Sequence, residues 1–89
     1  MVLPSVEAPL DLTGKKPGDE IVVKGKDLDL VKIVRMPNGE EVEFAYDKSE
    51  GGEETITFIL PENATDGAVV MIPASGVEVA IANIGMALP

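Results

Sequence analysis

Two carboxylates stand two positions apart in Asp27-Leu28-Asp29, and on an extended chain both project from one side. Such a pair is a fragment of a hard-cation site, because Ca2+ takes about six to eight oxygens and one D-x-D supplies two side chains. Asp19, Glu20, Glu53 or Glu54 would have to join them in the fold. The EF-hand spacing is missing, since Val31 stands where a third acid is wanted. A solvated turn is the plainer expectation, so Asp27 and Asp29 are the candidate pair against an expectation of no metal and no cofactor. Tyr46 is the one tyrosine. A tyrosine near a strand end can pack its ring and keep its hydroxyl wet, which makes Tyr46 the candidate ligand-binding residue, with a glycan as ligand. Nucleophilic chemistry finds little support. Ser5, Ser49 and Ser75 fall at expected edges and turns, where serine serves the backbone. The chain has no His to activate them and no Cys to replace them. A glycosidase-like acid pair can always be picked from 16 acidic residues, so finding one carries no information. No catalytic residue is assigned, and the chain is read as not an enzyme. Asn63-Ala64-Thr65 fits the N-glycosylation pattern, but its place after Pro61 fits a turn equally well.

Composition narrows the partners. The 89 residues carry 16 acids and 7 bases, a net charge of −9. That balance opposes a phosphate backbone or an anionic membrane surface, so no nucleic-acid partner is expected. Hydrophobic residues at 45% argue against disorder, and the length suits one domain over residues 1–89. Gly67 to Leu88 carries a single charge, Glu78, over a length that could span a bilayer. Pro73, Ser75, Gly76 and Asn83 interrupt it, and its valine-rich pattern suits two strands and a turn, so no direct membrane insertion is expected. Met1 to Leu12 has neither the basic start nor the apolar core of a signal peptide.

Turn signals at Gly14 to Gly18, Asn38-Gly39, Gly51-Gly52, Asp66-Gly67 and Ser75-Gly76 punctuate runs of Val and Ile, a pattern of short antiparallel strands in a sandwich or barrel. Strands are expected over Leu3–Glu7, Glu20–Lys24, Leu30–Met36, Glu41–Tyr46, Thr55–Leu60, Ala68–Ile72 and Val77–Ile84. Asn38-Gly39 predicts a type I′ turn and a hairpin from Val31 to Tyr46. Phe44 and Phe58 share apolar faces and are assigned to the core. The acidic stretch Asp47 to Glu54 reads as a solvated connection. Lys24, Lys26 and Lys32 would guard strands against edge pairing.

The order of these pieces resembles the IPT/TIG family of immunoglobulin-like domains over nearly the whole chain. Leu3-Pro4-Ser5-Val6 is similar to the family's opening strand. Pro17-Gly18-Asp19-Glu20-Ile21-Val22-Val23-Lys24-Gly25-Lys26-Asp27-Leu28 is similar to its most recognisable segment, and Leu28 and Val31 would then drop into the core. Val31 through Tyr46 resembles the hairpin and Ile56 through Pro61 the strand ending in proline. Ala64, Gly67, Val69 and Val70 resemble the family's next strand entry, and Gly76 its last hairpin. Pro37 and Asn38 depart from the glycine-rich tips frequent in the family. The resemblance implies an all-β, immunoglobulin-like sandwich of about seven antiparallel strands in two sheets. For function it implies one of several roles: a spacer in bacterial surface proteins that capture or degrade polysaccharide, a part of receptor ectodomains, or a dimerisation module of transcription factors. The net charge of −9 disfavours the DNA-associated role, and a spacer or interaction module of a larger bacterial cell-surface, periplasmic or extracellular protein fits best by analogy. The expected partners are neighbouring domains of the same chain and a polysaccharide or protein. Met1-Val2-Leu3-Pro4 and Met86-Ala87-Leu88-Pro89 echo one another; four residues match by chance easily, and the alternative is a domain followed by a module that starts in the same way. Leu3, Met86 and Leu88 are expected at an inter-module contact.

Overall fold

Ile21 and Val23 alternate with Glu20, Val22 and Lys24, and Ile56 and Phe58 alternate with Thr55, Thr57 and Ile59. The two runs pair antiparallel, Ile21 against Phe58 and Val23 against Ile56, so all four apolar side chains fall on one face and are buried. The computed structural model of the protein describes residues 3–6, 10–12, 14–62 and 65–84. Eight strands lie among them: β1 Leu10–Asp11, β2 Glu20–Gly25, β3 Val31–Arg35, β4 Glu41–Val42, β5 Phe44–Lys48, β6 Glu54–Ile59, β7 Gly67–Pro73 and β8 Val79–Ile84. They form a three-stranded sheet, β2-β6-β5, and a five-stranded sheet, β1-β8-β7-β3-β4. The fold is thus all-β with two sheets. No helix of the described residues is long and apolar enough to cross a membrane.

The apolar run Ala68–Ile72 forms the middle strand of the larger sheet, as its continuous hydrophobicity anticipates. Both sheets feed one core, with Ile21, Val23, Ile56 and Phe58 meeting Leu28, Val34, Val69, Met71 and Ile81. Leu28 and Val31 are buried in it, as expected.

The registers define two poles. At one, Gly25 pairs with Glu54 and Lys48 with Glu54 in the smaller sheet, and Val31 pairs with Pro73 in the larger. At the other, Glu20 pairs with Ile59 and Gly67 with Ile84.

Five expectations need correction. Eight strands lie among the described residues, against about seven expected. Pairing is not all antiparallel, because β1 runs parallel to β8 through Leu10–Ala82 and Asp11–Asn83. Of the expected opening strand Leu3–Glu7, Ser5 makes one bridge to Lys26, and Glu7 lies outside the described residues.

The hairpin is shorter and its turn different. β3 pairs with β4 only at Val34–Val42 and Arg35–Glu41, and after Glu43 the chain continues as β5 in the other sheet. The Gly39 N–H donates to Met36 C=O at 2.9 Å and the Met36 N–H to Glu40 C=O at 2.7 Å. Positive φ falls on Gly39 (92°) and not on Asn38, giving a three-residue loop instead of a type I′ turn. Pro37, whose ring fixes φ, suits the first position of that loop. Finally, the strand expected over Leu30–Met36 is confined to Val31–Arg35 and is bulged. A register shift between Val31 and Ile33 leaves Val31 and Val34 both buried and turns Lys32 outward.

The Asn63-Ala64 part of the glycosylation pattern, the terminal echo other than Leu3 and Pro4, and Met86 and Leu88 lie outside the described residues.

Candidate functional site

Glu54 continues the face that Ile56 and Phe58 bury, at the first position after the loop that joins β5 to β6. Both of its carboxylate oxygens are engaged. The Tyr46 hydroxyl donates to Oε1 at 2.9 Å, and the Asp27 backbone N–H donates to Oε2 at 3.0 Å. Three segments therefore converge on one side chain: β5 through Tyr46, β6 itself, and the connection that carries the chain from β2 into the other sheet.

That connection is tight. Asp27 takes a left-handed conformation (φ 58°, ψ 30°), and Leu28–Leu30 form a single 3₁₀ turn. Aspartate tolerates the left-handed region better than most residues. The turn drives Leu28 into the core, where it is fully buried. Gly25 makes room beside it. A Cβ on Gly25 would collide with the Ser5 carbonyl and press on Leu28 and Val6.

The expected extended Asp27-Leu28-Asp29 pair is thus corrected, because the left-handed residue and the 3₁₀ turn destroy the alternation that would align the carboxylates. Toward Glu54, Asp27 presents its amide. Glu54 does come to this pole, whereas Glu20 lies at the opposite one, paired with Ile59. Among the described residues, no three His, Cys, Asp or Glu side chains are grouped to hold a metal ion.

Tyr46 sits opposite Ile56 and is 39% exposed, with its ring toward the core side and its hydroxyl committed to Glu54. Partial desolvation, the hydrogen bond to Glu54 and the negative charges of Glu54, Asp29 and Asp47 push its pKa from 10.0 up to about 12. The same hydrogen bond holds the Glu54 carboxyl below the usual carboxylate range. Desolvation opposes that shift, and the Asp27 amide and the Lys48 charge reinforce it. The pair works as a latch between β5 and the sheet crossover. It leaves neither carboxylate oxygen without a donor.

The serines occupy backbone roles. Ser5 exchanges two main-chain bonds with Lys26 at 2.8 and 3.0 Å, and the Ser49 Oγ accepts from the Glu53 N–H at 3.1 Å. Ser75 lines a cleft of about 170 Å3 with Asp29, Leu30, Lys32, Pro73 and Ala74, in the turn that the Gly76 N–H closes onto Pro73 C=O.

Sequence reasoning placed Glu54 in a solvated acidic connection, while β5 in fact runs through Lys48 and β6 begins at Glu54. The signal that marks Glu54 is its parity with Ile56, Phe58 and Leu60, which puts an acid on an otherwise apolar face. Comparison of the chain with protein-family models, curated proteins and solved structures returned no match.

Proposed function

We propose that the chain is an immunoglobulin-like module of the IPT/TIG type. In this reading it acts without catalysis, as a spacer or protein-interaction module of a bacterial cell-surface or exported multi-domain protein engaged in polysaccharide capture. Strand order supports the fold. Immunoglobulin-type sandwiches place strands B, E and D on one sheet and G, F and C on the other. The orders β2-β6-β5 and β8-β7-β3 correspond to these, with β4 where variable-type domains add a strand beside C.

One observation carries the spacer reading. Ser5 is bridged to Lys26 at the Glu54 pole, while β8 ends with Ile84 paired to Gly67 at the opposite pole. Neighbours attached in those directions would be held apart by a body of 40 × 27 × 21 Å. A module that itself binds glycan or Ca2+ would draw on Tyr46 or on Asp27 and Asp29. The Tyr46 hydroxyl is already committed to Glu54, and the turn through Asp27-Leu28-Asp29 lacks the extended alternation that would align the two carboxylates, which favours the spacer.

Small-angle scattering of the longer parent chain tests the proposal. A fixed separation between the flanking domains is expected, and a flexible Gly-Ser insertion after β8 should broaden it. A freely jointed profile for the unmodified parent would overturn the spacer reading. Isothermal titration with polysaccharides and Ca2+ that gave binding lost in Tyr46→Ala, or in Asp27→Asn with Asp29→Asn, would replace it with the ligand-binding one.

A further inference from the structure

Asn38 and Gly39 stand together at the exposed tip of the β3–β4 hairpin, and every residue from Val31 to Lys48 around them is described. Pro37 leans on the body of the fold, so close to Gly67 that a Cβ there would lie 3.0 Å from the proline ring. Gly39 faces open space, where a Cβ would meet nothing within 4 Å. Asparagine before glycine carries a particular reactivity. The side-chain amide carbon is a weak electrophile, and the next main-chain nitrogen can close a small ring onto it. Glycine leaves that nitrogen unshielded and its backbone free to turn toward the ring.

Two hydrogen bonds act on this reaction in opposite senses. The Glu40 N–H donates to Asn38 Oδ1 at 2.9 Å, which polarises Cγ and would steady negative charge on that oxygen, as an oxyanion hole does. The Gly39 N–H donates to Met36 C=O at 2.9 Å, which holds the proton that the attacking nitrogen must lose. The second bond decides, because attack cannot begin while it is closed. It closes an exposed turn, and such turns open without the core.

We propose that Asn38 is a site of spontaneous covalent modification, gated by local opening of the hairpin tip. With the Gly39–Met36 bond open, the Gly39 nitrogen loses its proton to solvent base and bonds to Asn38 Cγ. The Cγ–Nδ2 bond breaks, and Nδ2 takes up a proton from solvent and leaves as ammonia. Water then opens the succinimide at one of its two carbonyls, with no change of oxidation state. Opening at Cγ leaves an aspartate at position 38, and opening at the main-chain carbonyl leaves an isoaspartate. Either product adds one negative charge to the −9 of the chain. The aspartate keeps an oxygen for the Glu40 N–H. The isoaspartate routes the main chain through Cβ and Cγ and lengthens a loop that the Met36 N–H spans to Glu40 C=O at 2.7 Å. β3 and β4 pair only at Val34–Val42 and Arg35–Glu41, so that end of the hairpin has little ladder with which to absorb the extra carbon.

Incubation of the whole chain at mildly alkaline pH, followed by peptide mapping and isoaspartate-specific methylation, tests this. Conversion at Asn38 should run roughly tenfold slower in buffer than in urea, the weight of one backbone hydrogen bond at an exposed turn. Asn83, also exposed, precedes the bulkier Ile84 within the β7–β8 ladder and should stay intact in buffer over the same interval. Val42→Ala, beside the tip, should speed conversion and lower amide protection at Gly39 in step. Gly25→Ala, at the opposite pole, should leave the rate in buffer unchanged although it lowers global stability. The purified isoaspartate form should lose amide protection at Met36, and the aspartate form should keep it. Equal rates in buffer and urea would overturn the gate. Slowing by the full folding equilibrium constant, measured by urea titration, would make the gate global and overturn the local one. A chain unconverted at Asn38 in both solvents would overturn the site itself.

Discussion

The Tyr46 hydroxyl and the Glu54 carboxylate, 2.9 Å apart, shift each other's titration in opposite directions. Tyr46 is the only tyrosine and there is no tryptophan, so phenolate absorbance reports on this contact alone. The midpoint should lie near 12 in the folded protein and near 10.0 in denaturant. Glu54→Gln should lower the folded midpoint by removing the charge that opposes ionisation.

The same pair sets two pH limits on stability. Glu54 has a depressed folded pKa, so its contribution is present above the ordinary carboxylate value near 4.5 and is lost as pH falls through the lower folded value. Tyr46 has a raised folded pKa, so its contribution is present below 10.0 and is lost as pH rises toward about 12. Urea midpoints measured across the acid and alkaline ranges should fall at both ends for the wild type. Tyr46→Phe should shrink the alkaline loss.

Gly25→Ala should destabilise the domain by roughly 1–3 kcal/mol, as overpacking does, because the new methyl meets the Ser5 carbonyl backbone. Gly39→Ala meets open space and bears only the left-handed penalty of about 1 kcal/mol at φ 92°. Chemical denaturation should rank them in that order. Amide protection at Ser5 and Lys26 should fall in Gly25→Ala alone.

Neighbouring residues of β6 should behave as opposites. Phe58→Ala empties a site 2% exposed and should cost about 3–5 kcal/mol, enough to unfold a marginal domain near room temperature. Ile59→Ser, at a position 52% exposed, should move stability by less than about 0.5 kcal/mol. Equilibrium unfolding followed by circular dichroism checks both.

Arg35 reaches Glu78 at 3.2 Å and Glu41 at 3.6 Å, tying β3 to β4 and to the start of β8 over the outer face of the larger sheet. All three side chains are well exposed, so Arg35→Met should lower stability by less than about 1 kcal/mol. The difference from wild type should narrow as salt is added.

What could be read from residue order was whatever depends on neighbours in the chain. The alternations of β2 and β6, the central position of β7 and the burial of Leu28 and Val31 arise from local pattern, and each is found. Pattern could not reveal where a strand changes partner. Val42, Phe44 and Tyr46 keep one alternation, yet β4 and β5 belong to different sheets. Nor could it reveal the bulge that resets β3, because a single extra residue leaves the composition untouched. Asp27 and Tyr46 each stand out in the sequence, but for separate ligands. Their common partner, Glu54, is distant in sequence from Asp27 and becomes visible only once β6 fixes its face.

The short parallel contact of β1 with β8 has a mechanical meaning. If the two poles are pulled apart, Leu10 is dragged along Ala82 and Asp11 along Asn83, in opposite directions and at right angles to the bonds joining them. Such bonds break together instead of one after another as in a peeled hairpin. A ladder only two residues long is thereby loaded in shear, so its few bonds share the tension.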